Sequence, residues 1–250
     1  MSDSTTTDPR PAALDAARHT AQAVQDVGAK FMLDMDMYGE VAGLGYQGLG
    51  FYIAGRGGVL GDVEHVEVFE AMTFFPAETV QAGWESSASV ESRADSAGRF
   101  AGYAARWGAN NVADGTEGLD RLAELCEKVI QAADGSDAPL FAGWRDLPEP
   151  DGEPDLVVHR MNALRAARHI AAIRQVGLDP ATAFMIRTPY MAGIFGWPEP
   201  SEAPAEIDKD LWQSAEDLTE RAFAADLAVL DDDELAELCR LSDALLAAIP

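Results

Sequence analysis

Apolar positions recur every three or four residues along most of the chain, which is the spacing of one face of an α-helix. Thr116 and Asp231 stand where N-caps are expected, and Gly177 follows an apolar stripe as a helix C-cap would. No segment alternates apolar and polar residues long enough to predict a strand. The pattern therefore predicts an all-α, multi-helix globular protein. Its clearest helices are expected at 117–133, 155–176, 206–228 and 231–248.

Proline, glycine and polar clusters divide this helical pattern. Residues 1–10 are polar and predict a disordered tail. The segment 134–154 ends in a run rich in proline and glycine, which is typical of a domain boundary. We therefore expect a larger N-terminal helical domain over 11–145 packed with a C-terminal helical domain over 155–250, or one continuous fold. Trp197 to Pro204 predicts a proline-rich linker within the second part.

One glycine motif bears on whether the chain binds a dinucleotide cofactor. Gly43, Gly45 and Gly48 spell G-x-G-x-x-G, but the preceding residues are too charged for the buried strand that a dinucleotide site needs. A flexible loop between helices is the better interpretation. No phosphate-binding loop, nucleophile elbow or metal-binding cysteine and histidine pattern occurs. The sequence therefore identifies no cofactor and predicts no metal site.

Charge and composition restrict the partners. The chain carries 18 basic and 43 acidic side chains, a net charge of −25. Such a field repels phosphate backbones and anionic membranes, so nucleic acid and membrane partners are disfavoured. The only two cysteines, Cys126 and Cys239, predict buried free thiols in a reducing cytosol, hence a soluble, cytoplasmic protein. The leucines of the last two helices predict either self-association as a homo-oligomer or packing on the body.

Two of the four histidines lie on the same predicted helix. His159 and His169 share its apolar face with Asn162, and Arg165 borders that face next to His169. Ten residues separate the histidines by about 15 Å along the axis, so they cannot share a metal. Polar groups on an apolar face need partners. Either both are satisfied core histidines, or they line one elongated pocket.

Three stretches resemble a family of actinobacterial proteins labelled as helix-turn-helix proteins of the EvbL type. They are GLGFYIAGRGGVLG at 48–61, HRMNALR at 159–165 with its continuation to Pro180, and YMAGIFGW at 190–197. The resemblance singles out Arg56, His159, Arg165 and His169, and it implies no established activity. Family members often continue into a winged-helix-like segment, most of which this chain is expected to lack. The last 50 residues instead carry 3 basic and 14 acidic side chains.

Three functional hypotheses follow, in order of preference. The first is an intracellular small-molecule-binding protein, whose two arginines would suit an anionic ligand. The second is an enzyme that uses His159 or His169 as a general acid or base. The third is a ligand-responsive DNA-binding regulator, as the family label suggests. For the first hypothesis the expected pocket residues are Tyr52, Arg56, His159, Asn162, Arg165 and His169.

Overall fold

The structure, a computed structural model, describes residues 8–149, 157–198 and 202–249, and every regular element in these ranges is helical. The all-α prediction is therefore confirmed. The described α-helices are α1 Pro11–Lys30, α2 Met35–Leu44, α3 Gly50–Gly57, α4 His65–Met72, α5 Ala77–Ser87, α6 Arg93–Asn111, α7 Leu119–Ala132, α8 Pro139–Asp146, α9 Val157–Val176, α10 Pro180–Arg187, α11 Ala192–Phe195, α12 Glu206–Leu227 and α13 Asp232–Ala248.

Several helix ends follow the predicted capping chemistry. The Asp231 carboxylate accepts the backbone N–H of Glu234 and forms a capping box at the start of α13. Gly177 follows α9 in the left-handed region, with φ 73°, where a side chain would be strained. Asp179 caps α10 in the same way as Asp231 caps α13. These caps depend on residues within a few positions of each helix end, and for that reason the sequence alone predicts them.

Three local predictions differ from the structure. The residue before α7 is Gly118 rather than Thr116, whose hydroxyl instead donates to the Ala113 carbonyl in the preceding turn. Gly43 lies inside α2, which ends at Leu44 with Gly45 as its C-cap, so the expected loop is shorter. Helix α8 occupies part of the segment expected to be a domain boundary. The expected start of the long helix at 155, most of the disordered tail and the middle of the 197–204 linker lie outside the described residues.

Helix α9 lies at the centre of the fold. Its most extensive packing is against α12, and it also packs against α1, α7 and α8. The N-terminal helix α1 reaches the last two helices, α12 and α13. One apolar core contains side chains from α1 through α13, and a smaller cluster lies between the end of α9, α10 and α12. The division into two domains at 146–154 stays a prediction.

Glycines in the 48–61 stretch let α3 approach its neighbours closely. A Cβ on Gly55 would lie 2.6 Å from the Phe100 ring of α6, and one on Gly58 would meet the backbone carbonyl of Arg93. These distances are too short for any side chain. The stretch is thus a packing motif that holds α3 against α6 and fixes the direction of Tyr52 and Arg56.

None of the described helices combines the length and the apolar composition that a membrane crossing would require.

Candidate functional site

A cavity of about 230 Å³ lies between α3, the turn after α4, α9, α10, α11 and α12. The charged and polar side chains on its wall are those of Arg56, Arg187, His169 and Glu216, together with Gln25 and Thr188. Most of the remaining wall is aromatic. The aromatic side chains are Tyr52, Phe74, Phe75, Phe184, Phe195 and Trp212.

The three family-like stretches converge on this cavity. The first supplies Tyr52 and Arg56, the continuation of the second supplies His169, and the third supplies Met191 and Phe195. Arg56 and His169 are 113 residues apart in the chain, and Phe195 follows His169 by 26 residues, so only the tertiary fold brings the three stretches together. Three of the six expected pocket residues, Tyr52, Arg56 and His169, therefore line this cavity.

His169 is held in one orientation on the cavity wall. Its Nδ1 lies 3.0 Å from Oγ1 of Thr219 and 3.4 Å from a carboxylate oxygen of Glu216. The Thr219 hydroxyl donates its proton to the Ala215 carbonyl at 2.7 Å, so toward His169 it can only accept a hydrogen bond. Nδ1 is therefore the protonated nitrogen of the neutral ring. This arrangement leaves Nε2 as an acceptor. The His169 side chain keeps 11% of its surface exposed.

Burial determines the charge of His169. Desolvation lowers its pKa to about 4, and this effect exceeds the opposing attraction of Glu216. The nearby positive charges of Arg165 and Arg187 lower the pKa further. The ion pair with Glu216 is therefore not formed at neutral pH, and the imidazole is neutral there.

Two arginines on the cavity wall lack an acidic partner. Arg56 donates from Nη1 to the Tyr52 hydroxyl at 2.8 Å, and in the described part of the chain it forms no ion pair. Arg187 is the last residue of α10, and it too contacts no carboxylate among the described residues. Most other cations of this acidic protein are paired, as Arg168 is with Asp226. Positive charge is thus left unneutralised at this cavity.

Arg165 and Asn162 lie behind the cavity wall rather than on it. The Arg165 guanidinium is buried and donates to Glu216 at 3.0 Å, so an internal carboxylate already occupies it. Asn162 lies where α9 crosses α1, beside Gly28. Neither side chain lines the cavity.

His159 lies apart from His169, in the aromatic core. Its Nδ1 donates to the Gly28 carbonyl at 3.2 Å, its Nε2 has no hydrogen-bond partner, and only 1% of the residue is exposed. Its ring contacts those of Phe31, Phe100 and Trp144. Burial lowers its pKa to about 3. Of the two histidines, His169 is the one on the cavity wall.

Sequence reasoning missed Arg187, Trp212 and Glu216. Arg187 follows no motif. Trp212 and Glu216, however, are four residues apart on α12, a spacing that puts them on one helix face. The sequence alone could therefore have predicted a tryptophan and a carboxylate side by side on one face of α12.

Arg56 also borders a second cavity, of about 290 Å³, on the other side of its side chain. Alanines of α9 form much of that wall, including Ala163 and Ala167, and Glu67, Glu70 and Asp137 add acidic groups. The second cavity thus lacks the aromatic wall of the first.

The described structure is an all-α protein with an aromatic cavity that carries two unneutralised arginines and an oriented, neutral histidine. The chain belongs to a helix-turn-helix family, whose model matches residues 17–250. This match includes α12 and α13. No curated protein and no solved structure matches the chain. The EvbL subtype and the actinobacterial source stay predictions.

The family description bears on the expected partners. "Helix-turn-helix" points toward nucleic acid, and it therefore argues against the prediction from net charge that nucleic acid is disfavoured.

Proposed function

We propose that the protein binds a small anionic molecule in the aromatic cavity. The observation that carries this proposal is the pair of arginines, Arg56 and Arg187, that border one cavity without an ion-pair partner in the described structure. The chain carries 43 acidic side chains. A cavity with two such arginines therefore attracts anions more strongly than the acidic surface around it does. Guanidinium groups bind carboxylates and phosphates through charge-assisted hydrogen bonds.

The proposal predicts that anion binding depends on both arginines. Binding of acetate, inorganic phosphate and benzoate is measured by calorimetry at constant ionic strength. With the tightest of these, Arg56→Gln is expected to weaken binding about tenfold, and the Arg56→Gln/Arg187→Gln double variant about a hundredfold, because each charge-assisted hydrogen bond contributes about 1.5–3 kcal/mol. No binding of any of the three anions by the unmodified protein would contradict the proposal.

Arg18→Gln is the matched control. It removes the same charge from the surface, where Arg18 pairs with Glu220 on α12. Its anion affinity should equal that of the unmodified protein. An equal loss in this control would mean that net charge, and not the cavity, determines binding.

A nucleic-acid-binding role is the second candidate, and the family match favours it. Helices α9 and α10 are joined by a three-residue turn, Gly177 to Asp179, as in a helix-turn-helix motif. The second helix of such a motif enters the DNA groove. In α10, however, Arg187 is the single basic residue. The charges therefore favour the first candidate.

The DNA-binding candidate predicts retention on immobilised duplex DNA that falls steeply between 50 and 200 mM salt, as counterion release requires. We expect no such retention, because α10 offers one cation and the surrounding surface is acidic. Salt-dependent retention that Arg187→Gln abolishes would instead establish α10 as a DNA-contacting helix. Arg240→Gln, on the far helix α13, is the control.

A further inference from the structure

We infer that the ligand is a small aromatic acid that carries a hydroxyl group, with the carboxylate on Arg56 and Arg187 and the hydroxyl on Nε2 of His169. This inference rests on the proposed anion-binding function and specifies the rest of the molecule. Size, wall chemistry and hydrogen-bonding direction support it independently.

The size of the cavity limits the ligand. Drug-sized ligands usually occupy pockets of about 300–1,000 Å³, whereas this cavity has about 230 Å³. A volume below that range favours a small ligand over a drug-sized one. A single six-membered ring with a carboxylate and one further substituent has this size.

The wall selects a flat, unsaturated ring. Phe75 and Phe195 stack with centroids 4.7 Å apart, and Phe195 also packs at 5.0 Å on Phe184. Trp212, also on the wall, meets the His169 ring edge-on at 5.1 Å. Aromatic side chains prefer aromatic partners in stacked or edge-to-face geometry, which adds affinity beyond the area that is buried. An aliphatic ring of equal size gains only the affinity that comes from burying its apolar surface.

The direction of hydrogen bonding at His169 determines the polar substituent. Its Nδ1 is the donor to Thr219, so Nε2 carries the free lone pair of a side chain that lines the cavity. The imidazole is neutral at pH 7, since burial keeps its pKa near 4. A ligand group that donates a proton satisfies this nitrogen, and a hydroxyl does so without adding charge. An ether or methyl group at the same place leaves Nε2 without a partner.

The test compares matched ligands on the unmodified protein by calorimetry at pH 7. The probes are benzoate, 3- and 4-hydroxybenzoate, the corresponding methoxybenzoates and cyclohexanecarboxylate. We expect at least one hydroxybenzoate to bind about fivefold to tenfold more tightly than benzoate, its methoxy analogue to lose that gain, and cyclohexanecarboxylate to bind more weakly than benzoate. Equal affinities for the hydroxy, methoxy and unsubstituted acids would overturn the inference.

A variant separates the role of His169 from that of the arginines. His169→Phe removes the acceptor, so the ratio of hydroxybenzoate affinity to benzoate affinity should fall to about one. His169→Gln keeps an acceptor and should retain part of the advantage. The ligand comparison on the unmodified protein decides the question even if neither variant folds. Binding of acetate, phosphate or benzoate without a hydroxyl preference would leave the anion-binding proposal standing, whereas no binding of any acid would overturn both.

Discussion

Replacing Phe100 with alanine is expected to lower the free energy of unfolding by about 3–5 kcal/mol, the range for a large aromatic side chain removed from a core. Phe100 is fully buried on α6, and its ring contacts Phe31, Phe51 and Trp144. It also touches Gly55. Because Gly55 has no side chain to fill the space left by the Phe100 ring, only a movement of the backbone could close that space. Denaturant unfolding followed by circular dichroism measures the change.

Tyr190→Ala is the matched aromatic control for this prediction. Tyr190 is 81% exposed, so its removal should change the unfolding free energy by less than about 0.5 kcal/mol. If Phe100→Ala cost no more than this control, the central packing of α3, α6 and α8 would be wrong. The comparison therefore tests the support of the cavity wall, because α3 carries both Tyr52 and Arg56.

The all-α architecture was predictable because it rests on local signals. The stripe of α9 and the caps at Asp179 and Asp231 act within one or two helical turns, so the sequence contains them completely. Helix α8 was missed because it spans only eight residues in a segment whose proline and glycine content favours loops. Its stability comes from packing on α9, which no local pattern reveals.

The candidate site was predictable only in part, for a tertiary reason. His159 and His169 share a helix face, but about 15 Å along α9 separate them, so they meet different neighbours. His159 faces α1 and α8 through Gly28 and Trp144, whereas His169 faces Thr219 of α12. A helix-face argument gives the direction of a side chain and not the element opposite. The same limit explains the absence of Arg187 from the expected residues.

Arg165 illustrates a second limit, that of charge pairing. Arg165 and His169 both contact Glu216, so the carboxylate that approaches His169 also neutralises the charge of Arg165. In a chain with 43 acidic and 18 basic side chains, an arginine is more often paired than available. To predict an anion site, one must therefore know which arginines form no ion pair in the folded protein. Here the packing of α10 and α12 determines this.

His159 gives the fold a specific sensitivity to acid. Its pKa is about 3 in the folded protein and 6.5 for the ordinary side chain, so between these values the unfolded chain binds one more proton. The stability contributed by neutral His159 is thus complete above pH 6.5 and is lost progressively as the pH falls toward 3. The cause is desolvation among aromatic rings, which penalises the charged imidazole.

His159→Phe is expected to remove this sensitivity. The phenyl ring can occupy the same aromatic surroundings but cannot take up a proton. Between pH 7 and pH 4 the unmodified protein should therefore lose on the order of 3 kcal/mol more unfolding free energy than the variant. Urea unfolding at several pH values measures both curves, and the acidic side chains common to both proteins cancel in the difference.

Met161→Leu provides the control for this comparison. Met161 is buried on the same helix and does not titrate, so its substitution should shift the stability curve by an equal amount at every pH. Parallel curves for His159→Phe and the unmodified protein would mean that His159 takes up its proton equally in both states. That result would refute the dry, aromatic environment of Nε2. A difference between the two curves that changes by on the order of 3 kcal/mol between pH 7 and pH 4, together with a constant offset for Met161→Leu, would locate the acid sensitivity in the crossing of α9 with α1.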